Sequence, residues 1–209
     1  MSSAGRRSRV PEVQPAMTST RHRLLAAAQG LIEEGGYGAA SVVAIADRAG
    51  VATGTLYRHF ASKEELFVEL FRSVCAREER AMGAAAAAMP GDASAAQRLE
   101  TELATFARRA LRNPRLAWAL IAEPVDPLVD AERLAYRERY AALIAEGLRG
   151  GIAARELPEQ NVELTAAALV GGCGEALVGP LSPVARRGPA AGEVVEALQT
   201  FVRRAVGAK

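Results

Sequence analysis

The chain has only two cysteines, two histidines and one tryptophan, and aromatic residues make up just 5% of it. Each shortage excludes something. Cys75 and Cys173 lie far apart, no CxxC pair occurs, and two cysteines cannot build a disulfide framework. Each sits in an apolar stretch, where cysteine packs as a small hydrophobe more often than it senses redox state. His22 and His59 have no Cys or His neighbour at ligand spacing, so no metal is expected. A nucleophile elbow, a P-loop and a dinucleotide glycine pattern are all missing, so enzyme chemistry is disfavoured and no cofactor is expected. No apolar run of about 18 residues stands out, so no membrane contact is expected. The N-terminus has arginines but no apolar h-region after them, which is not a secretory signal, and a cytoplasmic protein is expected. Runs of alternating β-branched residues are scarce.

Alanine-rich apolar sequence is what the chain has in quantity. Hydrophobic residues reach 50% of 209 positions, enough for a real core, and alanine favours helix more than any other residue. Apolar spacing gives an all-α chain of about nine helices. Net charge is only +2, but it is unevenly placed. Up to Lys63 the chain holds eight basic residues (Arg6, Arg7, Arg9, Arg21, Arg23, Arg48, Arg58, Lys63) against four acids. A basic end on a near-neutral body is a modest footprint for phosphate binding, and an ordinary solvated surface reads the same way.

The most informative stretch is Ser41 to Leu66, SVVAIADRAGVATGTLYRHFASKEEL. Val42, Ile45, Ala46 and Ala49 recur at helical spacing and face inward. Gly50 is the natural stop, because glycine enters the left-handed region without penalty. Val51 plugs the corner. From Thr53 to Phe60, Leu56 and Phe60 share one face, while Thr53, Thr55, Tyr57, Arg58 and His59 form a donor-rich outer face with no acid. Ser62 followed by Glu65 is a capping-box signal for the next helix. Helix, turn and donor-faced helix make the geometry that enters a major groove.

AIADRAGVATGTLYRHFASKEEL resembles the DNA-binding signature of the tetracycline-repressor (TetR) family. Ile45, Ala46, Ala49, Gly50, Val51, Gly54, Thr55, Leu56, Tyr57, His59, Phe60, Lys63, Glu64 and Leu66 carry the match. The segment RHRLLAAAQGLIEEGGYGAASV resembles the family's first helix and its Gly-Tyr exit. The resemblance spans roughly residues 20 to 75 and implies a three-helix DNA-binding domain followed by a helical ligand-binding and dimerisation domain. It implies DNA contacts from Thr53, Thr55, Tyr57, His59 and Lys63, and a backbone contact from Ser41. Thr53 reads equally as a helix cap and Tyr57 as core. Three positions depart from the pattern. Val43 cannot donate a hydrogen bond where relatives often read a base, Ala52 replaces a common serine, and Thr53 is shorter than the usual side chain. Shape and backbone contacts then carry more of the specificity.

The remaining segments set the boundaries. Residues 1–18 read as a flexible arm, in which Arg6, Arg7 and Arg9 either reach a minor groove or touch nothing. Residues 19–65 form the DNA-binding domain and 66–209 the ligand-binding and dimerisation domain. Thr18 or Thr20 caps a first helix with Leu24, Ala28, Leu31 and Ile32 inside. The helix from Ser62 runs to about Ala88, before Pro90-Gly91. Further helices run from about Ala95 to Arg112, then through Trp118, from about Leu128 to a stop at Gly150-Gly151, from about Pro158 to Val178, and from about Ala190 to Val206, after a loop with Arg186 and Arg187.

By resemblance, the last two helices, about 158–178 and 190–206, form a homodimer. Ala166, Ala167, Ala168, Gly171 and Gly172 would allow close approach, with Leu164, Leu169, Val195, Leu198 and Val202 filling the seam; the same stripes read equally as internal core. A pocket among helices of about 95–178 is expected to be lined by Phe106, Trp118, Ile121, Tyr136, Tyr140, Cys173 and Glu175. The expected partners are double-stranded operator DNA and a small, largely apolar effector, for a ligand-responsive regulator, most simply a repressor. A helical interaction scaffold that no longer reads DNA is the alternative.

Overall fold

A computed structural model describes residues 19–184 and 188–208. The proposed arm, with Arg6, Arg7, Arg9 and Thr18, and the loop residues Arg186 and Arg187 lie outside the described residues. Among the described residues there are nine α-helices, one 3-10 turn and no strand. The helices are α1 (Thr20–Gly35), α2 (Val42–Ala49), α3 (Thr53–Tyr57), α4 (Lys63–Ala87), α5 (Ala95–Arg112), α6 (Pro114–Ile121), α7 (Pro127–Ala153), α8 (Val162–Leu181) and α9 (Ala191–Ala205). The 3-10 turn, Tyr37–Ala39, joins α1 to α2.

Local signals account for most ends. Ser19 caps α1, its side chain accepting from His22 N at 3.3 Å, so Thr20 is the first helical residue and not the cap. Gly50 takes φ +65 and ψ 42 after α2, the left-handed stop its type allows. Ser62 accepts from Glu65 N, while the Glu65 carboxylate reaches Ala61 N rather than Ser62 N, so the reciprocal box is displaced by one residue. A full capping box forms instead at Ser94 and Gln97.

Four expectations are corrected. Helix α7 runs through Gly150-Gly151 to Ala153. A Cβ on Gly151 would stand 2.6 Å from Ala95 Cβ and 2.7 Å from Leu157 Cδ1, so this glycine permits close packing and does not stop the helix. Helix α8 begins at Val162, not Pro158, because Asn161 is its cap and accepts from Leu164 N at 2.9 Å. It is also long and apolar enough, by length and composition, to cross a membrane, with a mean hydropathy of 1.4. Its two acids, Glu163 and Glu175, interrupt the apolar run without lowering that mean enough. Leu31, placed inside by spacing, is only half-buried.

Two clusters of buried side chains form the core. One joins α1, α2, α3 and the first half of α4 with Leu116 and Ala119 of α6 and Val129 and Tyr136 of α7. The other joins the end of α4 with α5, the second half of α7, α8 and α9. Helix α4 belongs to both. Ala166, Leu169, Val195, Leu198 and Val202 are buried within this second cluster, so five residues expected near a dimer seam are internal core. Leu164 is 67% exposed and Phe201, which the sequence did not single out, is 40% exposed.

Candidate functional site

Two features stand out: the outer face of α2 and α3, and a cavity on the far side of α4. Tyr57 is 54% exposed and Val43 58% exposed, so Tyr57 is not core. Thr53 is the first residue of α3 and Ala52 its cap, without a side-chain bond, so Thr53 does not cap the helix either. Thr53, Thr55 and His59 are half-buried along the same short helix and its exit, and Arg58 is exposed. Ser41 is exposed and caps α2, its oxygen accepting from Ala44 N at 3.1 Å, which leaves its proton free to donate outward.

Lys63 is the first residue of α4, where free backbone N–H groups favour an anion. Its ammonium stands 4.8 Å from the Tyr37 ring centroid and 5.2 Å from that of Phe67. The rings hold the cation in place at the helix start, through their negative faces. Burial pushes the Tyr37 hydroxyl up to about 12, aided by Glu64, Asp126 and Glu123.

Much of the basic N-terminal charge is used inside the bundle. Arg21 bonds the Glu69 carboxylate and His59 O, and lies 4.3 Å from the Phe60 ring centroid. Arg23 donates to Ala49 O and Gly50 O, filling the carbonyl end of α2. Arg48 pairs with Glu34. Charge counting alone could not separate these from residues free to meet phosphate.

The cavity has a volume of about 490 Å³ and lies among α4 to α8. Phe106, Ile121, Tyr136, Tyr140 and Cys173 line it as expected. Trp118 does not; it is half-buried on α6 and packs against the second core. Glu175 does not either, because its direction on α8 exposes it to solvent. The sequence reading missed α4 as a wall, with Phe71, Val74, Cys75 and Met82. Their helical spacing was visible, but spacing alone does not separate a cavity wall from filled core.

An aromatic ladder crosses the cavity. Phe106 and Tyr140 have ring centroids 5.9 Å apart, Tyr136 and Tyr140 6.1 Å, and Phe71 and Tyr136 5.6 Å. The Tyr136 hydroxyl donates to Arg72 O at 3.1 Å and that of Tyr140 to Cys75 O at 3.4 Å. Burial raises both hydroxyls above their ordinary value. It also pushes the Cys75 thiol up to about 12 and Cys173 up to about 11, so both are kept as neutral thiols.

Five arginines also reach the wall: Arg77, Arg109, Arg112, Arg133 and Arg137. Arg109 pairs with Glu78 through two bonds of 2.5 and 3.0 Å, and Arg77 donates to Gln29 at 2.9 Å. Arg112 and Arg137 are exposed. The cavity therefore joins an apolar, aromatic interior to a cationic margin.

Comparison with known proteins agrees with this geometry. Residues 24–70 match the family described as bacterial regulatory proteins, tetR family. The HTH-type transcriptional repressor KstR of Mycobacterium tuberculosis is 38% identical over 109 residues, which cover 50% of this chain and 46% of KstR. The chain thus matches about half the length of its curated relatives. The fatty acid degradation regulator FadR of Bacillus halodurans has the same fold, with a TM-score of 0.76 at 19% identity, covering 91% of this chain and 97% of that one. Bacillus subtilis FadR, solved in complex with stearoyl-CoA, superposes with a TM-score of 0.72 at 22% identity, over 90% of this chain and 98% of its own. Residues 24–70, with the helix-turn-helix, therefore carry the segment that defines the tetR family of bacterial regulatory proteins, on an all-helical body whose fold these solved structures share.

Proposed function

We propose that this protein is a cytoplasmic, ligand-responsive repressor that binds a pseudo-palindromic operator as a homodimer and leaves it when a small molecule fills the cavity. The observation that carries the reading is the position of α4. This one 25-residue helix begins with Lys63 beside the outer face of α3 and carries Phe71, Val74, Cys75 and Met82 into the cavity. A ligand that moves the second half of the helix also moves the first. Affinity for DNA then falls by population shift, provided the ligand binds the DNA-incompetent arrangement more tightly.

In this reading residues 19–65 grip DNA and residues 66–209 bind ligand and partner. Ser41, Thr53, Thr55, Tyr57, His59 and Lys63 make the contacts, most of them to backbone. The effector has an apolar body for the ring-lined interior and an anionic end for the arginines of the wall, Arg112, Arg133 and Arg137. Stearoyl-CoA, bound by the Bacillus subtilis relative, has that polarity. The exposed side of α8, with Leu164, Ala167, Ala168 and Gly171, and Phe201 of α9 form the dimer face. A twofold pairing there would place two recognition helices one helical turn apart, roughly 34–36 Å, or a multiple of it.

An electrophoretic shift with DNA flanking the protein's own gene tests the proposal. Specific retardation that is reversed by an anionic lipophile supports it. Equal binding to every duplex, or none at all, would refute it.

A further inference from the structure

Arg133, a wall residue of the cavity, spends its guanidinium on the far end of α6. Its Nε donates to Leu120 O at 2.9 Å, and one terminal nitrogen donates to Ala119 O at 2.7 Å and Glu123 O at 2.5 Å. The last carbonyls of a helix have no partner within it, and a cation there also suits the negative end of the helix dipole. Asp130 holds the other terminal nitrogen at 2.6 Å.

Glu123, anchored through its backbone by Arg133, sends its carboxylate across to the DNA-binding part. Both oxygens accept from Tyr37 N, at 3.1 and 3.3 Å. Gly36 shapes the seat. Its backbone is at φ +79 and ψ −177, and a Cβ there would stand 3.0 Å from Glu123 Oε1. The Tyr37 ring lies 4.4 Å from that of Phe67, and both rings face the Lys63 ammonium. An unbroken set of contacts therefore runs from the cavity wall to the cation at the start of α4. It passes through α6 and the 3-10 turn, a route separate from the length of α4.

We infer that Arg133 and Glu123 form a latch that reports the state of the cavity to the seat of Lys63. A carboxylate or phosphate binds a guanidinium more strongly than a neutral carbonyl does. An anionic group in the cavity therefore draws Arg133 away from the end of α6. Glu123 then keeps only its N–H bond to Trp118 O, its carboxylate leaves the Tyr37 amide, and the aromatic seat of Lys63 loosens. Arg133 and Glu123 are positioning residues in this scheme, and neither touches DNA. The inference rests on the cavity being the effector site and on Lys63 gripping phosphate.

Hydrogen exchange at the Tyr37 amide tests the latch in the full chain, without DNA or effector. Glu123→Ala should speed exchange there about tenfold or more by removing the acceptor. Arg133→Met should speed it similarly, although Arg133 bonds no atom of Tyr37. Arg133→Lys keeps a cation but cannot span three carbonyls, and should give an intermediate rate even if the Met variant folds poorly. Amides in α8 should keep their wild-type rates in all three. Wild-type exchange at Tyr37 in both Arg133 variants overturns the latch, and so does acceleration that is equal at Tyr37 and in α8. A failed shift assay with DNA would remove the regulator reading and leave this exchange result standing.

Discussion

Replacing Gly36 by alanine puts numbers on the seat that joins the two parts of the chain. Two costs arise. The backbone at φ +79 and ψ −177 lies in a region that only glycine uses freely, and holding alanine there costs about 1–3 kcal/mol. The new Cβ would also stand 3.0 Å from Glu123 Oε1 and 3.4 Å from Oε2, so the carboxylate must move off the Tyr37 amide. A hydrogen bond to a charged acceptor contributes about 1.5–3 kcal/mol, and nearer 1 for a half-buried pair that water can partly replace. The sum is about 2–4 kcal/mol, or roughly 5–15 °C in Tm for a chain of this size. Thermal unfolding followed by circular dichroism, at one fixed protein concentration, measures it. Gly38→Ala is the matched control. Its φ is not positive and its Cβ would meet nothing within 4 Å, so it should stay within about 0.5 kcal/mol of wild type. In the background of Glu123→Ala the second cost vanishes and the first remains, a coupling of about 1 kcal/mol. If Gly36→Ala costs no more than Gly38→Ala, the account of the seat is wrong.

Three further outcomes follow from the same structure. Lys63→Ala should weaken binding to every duplex and make the slope of log K against log salt shallower by about 0.9; an unchanged slope would remove Lys63 from the phosphate contacts. Glu102 is half-buried, its Oε2 has no hydrogen-bond partner, and burial with Glu146 nearby raises it from 4.5 to about 7. Its folded pKa is above its unfolded one, so wild-type stability should fall as pH rises from about 4.5 to about 7. Glu102→Gln should abolish that fall and unfold at a higher temperature than wild type at about pH 8; equal midpoints there would exclude the effect. Arg203 holds the buried Glu100 carboxylate through two bonds of 2.9 and 2.8 Å, joining α9 to α5. Arg203→Met leaves that carboxylate without its partner and should lower the urea midpoint, whereas an unchanged midpoint would mean that water replaces the guanidinium.

The stretch from Ser41 to Leu66 was legible because its determinants are short in range. Ser41, Gly50 and Ser62 act on backbone groups within about four residues of themselves, as caps and turns do. Gly151 was misread for the complementary reason. A glycine pair looks like a stop, and only Ala95 and Leu157 pressing on it show that it is a packing site. Trp118 and Glu175 have the residue types of a pocket lining, yet the rotation of α6 and α8 against their neighbours turns them away from the cavity. Leu169, Val195, Leu198 and Val202 could have faced a partner or the core, and packing put them inside.

By itself, then, the sequence determined an all-helical chain, the helix-turn-helix with its family resemblance, and the side chains offered on its outer face. These depend on spacing, caps and one left-handed glycine. Tertiary structure alone decided which arginines stay free for phosphate, which face of α4 walls a cavity, and how that cavity meets the DNA-binding part. The physical reason is separation along the chain. Glu123 and Tyr37 are 86 residues apart, and nothing in the pattern around either one announces the bond between them.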